Sequence, residues 1–403
     1  MPRIIYVQYT NPAGYPPLEH SSRILADAGW QVLFLGTGSL GSAKLVFPPH
    51  PAIEVRRLSF RPPGWCQKFH YAWFCLWCFG WVLKRRPNWI YASDALSCPV
   101  ALLLNVLLKI PMLYHEHDSP STESSGWFAR VCLAARKACA HRATLCLLPN
   151  RQRAEKFAAE TEIKRCPEVV WNCPSRREAI GSDRESRPGL RLLYHGSIVP
   201  DRMPLTVIDA LATLPDDACI SIVGYETSGS IGYIRELRHK ATKLGISHRV
   251  EVLGSLALRS ELLDVARSCD VGLALMPSNT DDLNLQAMTG ASNKPFDYLA
   301  CGLAVLVSDL PDWREMYIEP RYGLCCDPDR AESIATALRW FHENAPEREA
   351  MGERGRLRVS EDWNYEKQFF PVLNRLERIH DAPVEGLRTD RVSSAGHPRC
   401  LSK

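Results

Sequence analysis

Short apolar runs recur along the first half of the chain, each closed by a polar turn: "RIIYVQY", "WQVLFLG", "WIYASD", "PMLYHEHD" and "TLCLLPN". Between the first two lie the loop "NPAGYPP" and the segment "LEHSSRILADAG", whose apolar positions return at helical spacing and which stops at Gly29. Short strands alternating with helices of about 10–15 residues predict a parallel sheet with helices on both faces. The same rhythm restarts in the second half. There "LRLLYHGS", "CISIVGYE", "RVEVLGS", "DVGLALMPS" and "AVLVSD" read as strands, and "LTVIDALATL", "YIRELRHKATKLG" and "SELLDVARSC" as helices. Between the halves, Ser175–Gly189 is charged, punctuated by Gly and Pro, and without period, so it reads as a linker. The predicted fold class is α/β: two Rossmann-like, doubly wound domains, 1–174 and 190–360, facing a central cleft. Ligands of such sheets bind beyond the carboxyl ends of the strands. A helix over 361–381 is expected to pack back toward the N-terminal domain. The polar, unpatterned residues 382–403 read as a disordered tail.

Composition narrows the class of partner. The chain has 403 residues, 46% of them hydrophobic and 23% charged, with a formal net charge of +4. That charge is small for the length and argues against broad nucleic-acid binding. Fifteen cysteines fit a reduced, cytosolic protein. Cys132, Cys139 and Cys146 recur every seven residues and read as small buried side chains on helical turns. "CLWC" (Cys75, Cys78) has metal-ligand spacing but lacks a second pair to complete a site. The opening "MPRIIYVQYT" reads as a first strand rather than a signal peptide. No run of ~18 uncharged apolar residues spans a bilayer. The expected location is cytoplasmic, or peripheral on the inner face of a membrane.

The stretch with the most chemistry is "NKPFDYLACGLAVLVSD", Asn293–Asp309. A helix is expected to start near Lys294–Pro295, because proline suits a first turn, and to stop at Gly302, followed by a buried strand. The free N–H groups of a helix N-terminus suit phosphate, and Lys294 adds a full charge there. Asp297 is placed to accept hydrogen bonds from sugar hydroxyls. The alternative is an ion pair between Lys294 and Asp297 on a solvated helix face, worth a few tenths of a kcal/mol.

"SNKPFDYLACGLAVLVSD" resembles the signature helix and strand of family 4 glycosyltransferases of the GT-B fold, and the likeness extends along roughly residues 3–375. "LLYHGSIVPDRMPLTVIDAL" resembles that family's opening strand and phosphate loop in the second domain. "ISIVGYE" and "HRVEVLGSLALRSELLDVARSCDVGLALMPS" follow in its order. "NPAGYPPLEHSSRILADAGWQVLFL" and "MLYHEHDSP" resemble segments of its first domain. The resemblance implies a retaining transfer of sugar from a nucleotide-diphosphate donor to an acceptor hydroxyl, with no metal and no other cofactor. It assigns the ribose to Asp297 and the diphosphate to Arg202 and Lys294, with Asn293 beside them. It assigns the base pocket to Val252–Gly254 and Gly224, the active-centre histidine to His117, and the closing glycine loop to Gly14. Glu116 and Asp118 are candidates to position the acceptor, a polysaccharide or lipid-linked sugar.

Two positions depart from the family pattern. Eight residues before Asp297 a glutamate is usual and Thr289 stands there; an arginine is usual where Ser197 stands. Both are still expected to line the donor site, although the departures also admit a catalytically degenerate GT-B binding protein. A nucleotide-sugar epimerase is the other enzyme class of this fold. "HEHD", His115–Asp118, invites a metal reading, but side chains i and i+2 on a strand end lack the helical spacing of zinc-protease ligands. In "KFHYAWFCLWCFGWVLKRR", residues 68–86, Trp73, Trp77 and Trp81 recur every four residues beside Lys84, Arg85 and Arg86. Such a helix suits either a membrane interface or a core packed on its own sheet.

Overall fold

The computed structural model describes residues 1–120, 126–180 and 188–381. The chain divides into two compact units. One comprises Met1–Ser39, Pro49–Trp171 and the chain from Glu366 on; the other comprises Leu40–Pro48 and Asn172–Tyr365. The expected tail, 382–403, lies outside the described residues, as do 181–187 of the expected linker.

In the first unit the strands are β1 (Arg3–Val7), β2 (Gln31–Thr37), β3 (Ile53–Leu58), β4 (Trp89–Ser93), β5 (Met112–His115), β6 (Leu145–Leu148) and β7 (Glu168–Val169). They form one parallel sheet in the order β3-β2-β1-β4-β5-β6-β7. The helices are α1 (Pro16–Asp27), α2 (Trp65–Arg85), α3 (Cys98–Leu108), α4 (Trp127–Arg142) and α5 (Arg151–Thr161). Alternation along the strands assigns the faces. Ile5, Val7, Ile90, Ala92, Met112 and Tyr114 point to one side and pack with α2, α3, α4 and α5. Tyr6 and Tyr91 point to the other, stacked at 4.0 Å, and the Tyr6 hydroxyl donates to Ser21 of α1 at 3.2 Å.

The second unit repeats the pattern with β8 (Leu190–Ser197), β9 (Ala218–Tyr225), β10 (Val250–Gly254), β11 (Val271–Ala274), β12 (Ala304–Ser308) and β13 (Gly323–Cys326), parallel in the order β10-β9-β8-β11-β12-β13. Its helices are α6 (Thr206–Ala212), α7 (Tyr233–Lys243), α8 (Arg259–Arg267), α9 (Leu283–Gln286), α10 (Asn293–Ala300), α11 (Pro311–Trp313), α12 (Ala331–Glu343) and α13 (Ala345–Glu361). Within α10, every residue from Lys294 to Ala300 is buried. Tyr298 lies over Gly272 of β11, where any side chain would strike the ring. Glycine at 272 is thus what lets α10 seat on the sheet.

Several local readings change. Residues 175–180 belong to the second unit, with Arg176–Glu178 folded as a short 3-10 turn. Leu40–Pro48 also belongs there; Val46 donates its N–H to the Ala257 carbonyl at 2.8 Å. A last helix, α14 (Tyr365–Asp381), begins four residues later than expected and lies in the first unit from Glu366 on. Cys132 and Cys139 are buried on α4, whereas Cys146 is on β6, where no helical seven-residue repeat applies.

Candidate functional site

In the second unit the site begins where β8 and β9 end. Gly196 and Gly224 face each other in register, with φ of +102° and +152°. A Cβ on Gly224 would stand 1.8 Å from the Gly196 carbonyl oxygen. Both the backbone approach and the positive φ therefore demand glycine. The chain then turns through Ser197 and Ile198 to Arg202, held by its N–H on the Val199 carbonyl at 3.1 Å. Glycine at 196 also leaves room for Lys294: a Cβ there would lie 3.3 Å from its Cε and 3.5 Å from its Nζ.

Lys294 is only 6% exposed, and its ammonium sits 5.5 Å from the centre of the Tyr194 ring. Burial pushes its pKa well below the ordinary lysine value; the charge of Arg202 pushes further, and Asp297 pulls partly back. Among the described residues, neither the Lys294 ammonium nor the Arg202 guanidinium forms a hydrogen bond or ion pair. At the start of α10 the Ser292 side chain makes no capping bond, and its hydroxyl is buried without a partner. Two cations and an uncapped helix N-terminus converge there, and among the described residues neither cation is in an ion pair, with Asp297 offsetting only part of their charge. Such a group suits a ligand with several anionic oxygens.

Asp297 is not paired with Lys294, and the solvated ion pair is ruled out because both side chains are buried. Instead Arg259 grips its carboxylate with two bonds, 2.6 and 3.1 Å, and reaches Glu178 with two more, 2.7 and 3.2 Å. His195 Nε2 lies 3.4 Å from the same carboxylate. Burial lowers the His195 pKa, with Lys294 and Arg259 adding to the effect, so it is neutral. The sequence reading missed Arg259 and Glu178, which stand 38 and 119 residues from Asp297 in the chain.

The other second-unit candidates lie around this core. Ser197 is half-buried, and its carbonyl accepts the Tyr194 hydroxyl. Val252 and Gly254 lie on β10, where the pairing with β9 shifts register and Gly254 takes φ +73°. Thr289 donates its hydroxyl to the Asp312 carboxylate. Asn293 opens α10, half-buried.

The first-unit candidates gather at the carboxyl ends of its strands. Gly14 ends a short turn after β1 in which Asn11 accepts the Ala13 N–H at 3.2 Å. His117 follows β5. Its N–H donates to Asp94 at 2.8 Å, its carbonyl accepts from Arg153 at 2.7 Å, and its ring lies 3.9 Å from that of His115. Both His117 ring nitrogens are buried without partners. Burial, with the Arg153 charge as second cause, pushes its pKa down to about 3. Asp94, unflagged by the sequence, holds φ +62° and also accepts the Asp118 N–H at 3.4 Å.

Glu116 is a correction. Its carboxylate is fully buried, taking 2.5 and 2.7 Å bonds from Arg136 and a 2.6 Å bond from the Tyr114 hydroxyl. With those oxygens committed to the core beneath α4, Glu116 is a structural anchor and does not position an acceptor. Asp118, two-thirds exposed, keeps a free face toward solvent. Among the described residues no group of three or more His, Cys, Asp and Glu is placed to hold a metal ion.

Two parallel doubly wound sheets in tandem are the architecture of the GT-B class. The sequence matches the family described as "Glycosyl transferases group 1" over residues 176–358 and "Glycosyl transferase 4-like domain" over 18–170. The chain belongs to the group 1, family 4-like glycosyltransferases. Solved structures of the same fold include Anabaena HepE in complex with UDP and glucose (16% identity, 94% of this chain and 100% of that one, TM-score 0.69). Sucrose-phosphate synthase of Thermosynechococcus elongatus is similar at 18% identity over 95% and 100%, TM-score 0.69. A stretch of 138 residues is 32% identical to the UDP-N-acetylglucosamine–N-acetylmuramyl-(pentapeptide) pyrophosphoryl-undecaprenol N-acetylglucosamine transferase of Ralstonia nicotianae. That stretch spans 32% of this chain and 38% of the relative.

Proposed function

We propose that the protein is a glycosyltransferase that moves a sugar, with retention, from a nucleotide-diphosphate donor to a hydroxyl of a polysaccharide or lipid-linked acceptor. The observation that carries this reading is the buried Lys294 against Gly196 and Tyr194, with the like charge of Arg202 acting on it and neither cation in an ion pair among the described residues. As the sugar departs, negative charge grows on the diphosphate. Lys294, Arg202 and the N–H groups opening α10 meet that charge in a site already built for it, taking the part a divalent cation plays elsewhere. Removing one preorganised donor of this kind costs about 10²–10³ in rate. HepE was solved with UDP and glucose, and we carry that donor class to this chain. Family membership supports retention. A lipid-linked acceptor sets the work at the inner face of a membrane, with contact through residues 68–86.

The test is transfer of label from UDP-, GDP- and ADP-sugars to a lipid extract. We expect labelled glycolipid from at least one donor and its loss in Arg202→Ala and Lys294→Ala. Isomerised donor without transfer would mark an epimerase, and tight donor binding without turnover a binding protein.

A further inference from the structure

Helices α2, α3 and α4 lie side by side on one face of the first sheet, and their outer surfaces are apolar. α2 buries Tyr71, Phe74, Cys78 and Val82 beneath itself. Its opposite face presents Trp65, Phe69, Trp73 and Leu76 to solvent, with Phe69 75% and Leu76 67% exposed. The tryptophan repeat therefore splits between the two environments. Four residues overshoot a helical turn by about 40°, so Trp73 faces out while Trp77 and Trp81 rotate inward against the sheet core. α3 continues the surface with Leu103 and Leu107, and α4 with Trp127 and Val131, all exposed. Lys68 bridges α2 to α4, its ammonium 4.1 Å from the Trp65 ring and 5.3 Å from that of Trp127.

Charge on this layer is one-sided. None of the three helices contains a single Asp or Glu. Lys68, Lys84 and Arg130 lie on them, and the C-cap residues Arg86 and Lys109 close α2 and α3. Each is at least part-exposed. Among the described residues no helix is long and apolar enough to cross a membrane.

We infer that the outer face of α2, α3 and α4 docks in the plane of an anionic lipid bilayer, with the aromatic side chains in the interface and the cations on phosphate headgroups. Aromatic rings with flanking lysine and arginine are the composition that binds such surfaces. A contiguous apolar surface of this kind on a single chain needs an occupant. A second copy fits poorly, because a two-fold contact would set helices that carry cations and no acid of their own against themselves. This deepens the proposed contact at 68–86 by extending it to α3 and α4 and by naming the lipid charge. It stands independently of whether the second-unit site transfers sugar.

The experiment is flotation of the full chain with vesicles of phosphatidylcholine alone and of phosphatidylcholine mixed with phosphatidylglycerol. We expect co-flotation with the anionic vesicles, weakened by salt. The pair Phe69→Ser and Leu76→Ser should abolish it, and Lys84→Gln with Arg86→Gln should weaken it at least ~10-fold. All four changes lie on exposed positions, so an unchanged melting midpoint and an unchanged UDP-induced shift certify the folded protein. No vesicle binding, or binding untouched by both pairs, overturns the inference. So does a dimer in sedimentation equilibrium that Phe69→Ser and Leu76→Ser dissolves, which would assign the face to a second copy.

Discussion

Replacing Lys294 by methionine keeps the volume of the side chain and removes its charge. The ammonium is 6% exposed, lacks an anionic partner among the described residues and feels Arg202 as a like charge, with Asp297 offsetting only part. Even buried ion pairs replaced by apolar residues of similar volume often leave a protein more stable, by about 1–4 kcal/mol, and a buried ammonium without an ion pair has less attraction to lose. For a unit of this size each kcal/mol moves the melting midpoint by roughly 2–4 °C, so Lys294→Met should melt at least ~2 °C above the parent in the absence of ligand. UDP should reverse the ranking. At a hundredfold excess over its dissociation constant a ligand adds about 2.7 kcal/mol, a rise of roughly 5–11 °C in the parent. The variant should lose most of that rise. Differential scanning fluorimetry with and without UDP reads both effects. A variant that melts no higher than the parent, or that UDP stabilises as strongly, would refute the reasoning.

Two further outcomes follow from the buried charges. Arg259→Leu leaves Asp297 and Glu178 without their shared guanidinium and should cost about 3–5 kcal/mol, read as a drop in the urea midpoint; a loss below 1 kcal/mol would show the network to be slack. His115, His117 and His195 are all held neutral by burial, His117 with a pKa of about 3. The unfolded chain binds their protons near pH 6.5 and the folded one does not, so their stabilisation is present above that pH and lost as pH falls below it. Each contributes up to ~1.4 kcal/mol per pH unit. Melting followed from pH 7.5 to 5.5 should fall steadily, less steeply in His117→Gln; a flat profile in the parent would contradict the burial.

The alternation of apolar runs and turns placed the central strands of both parallel sheets, because buried parallel strands announce themselves as apolar segments, and it missed the edge strands β3, β7 and β13, which are only partly buried and carry no such run. Proline and glycine at its two ends gave α10 within a residue or two. What the chain order conceals is pairing at a distance. Nothing in "SRRE" or "LALRSELL" says that Glu178 and Arg259 meet Asp297, since each is an ordinary surface-type residue in its own segment. The same blindness misread Glu116, whose neighbours in "HEHD" suggested a site while Arg136, 20 residues on, had already claimed it. The tryptophans of α2 were legible as a stripe but not as a stripe that turns, because a spacing of four is close to, and not equal to, one helical turn. Asp94 gave no signal at all, as its strained backbone is a property of the folded turn alone.

Arg259 divides one positive charge between two acids that belong to different stretches of chain. A ligand hydroxyl that draws on Asp297 must take from that arrangement, leaving the guanidinium freer to lean on Glu178. The turn at 176–178 and α10 therefore share a single guanidinium, and a change in charge at either acid reaches the other through it.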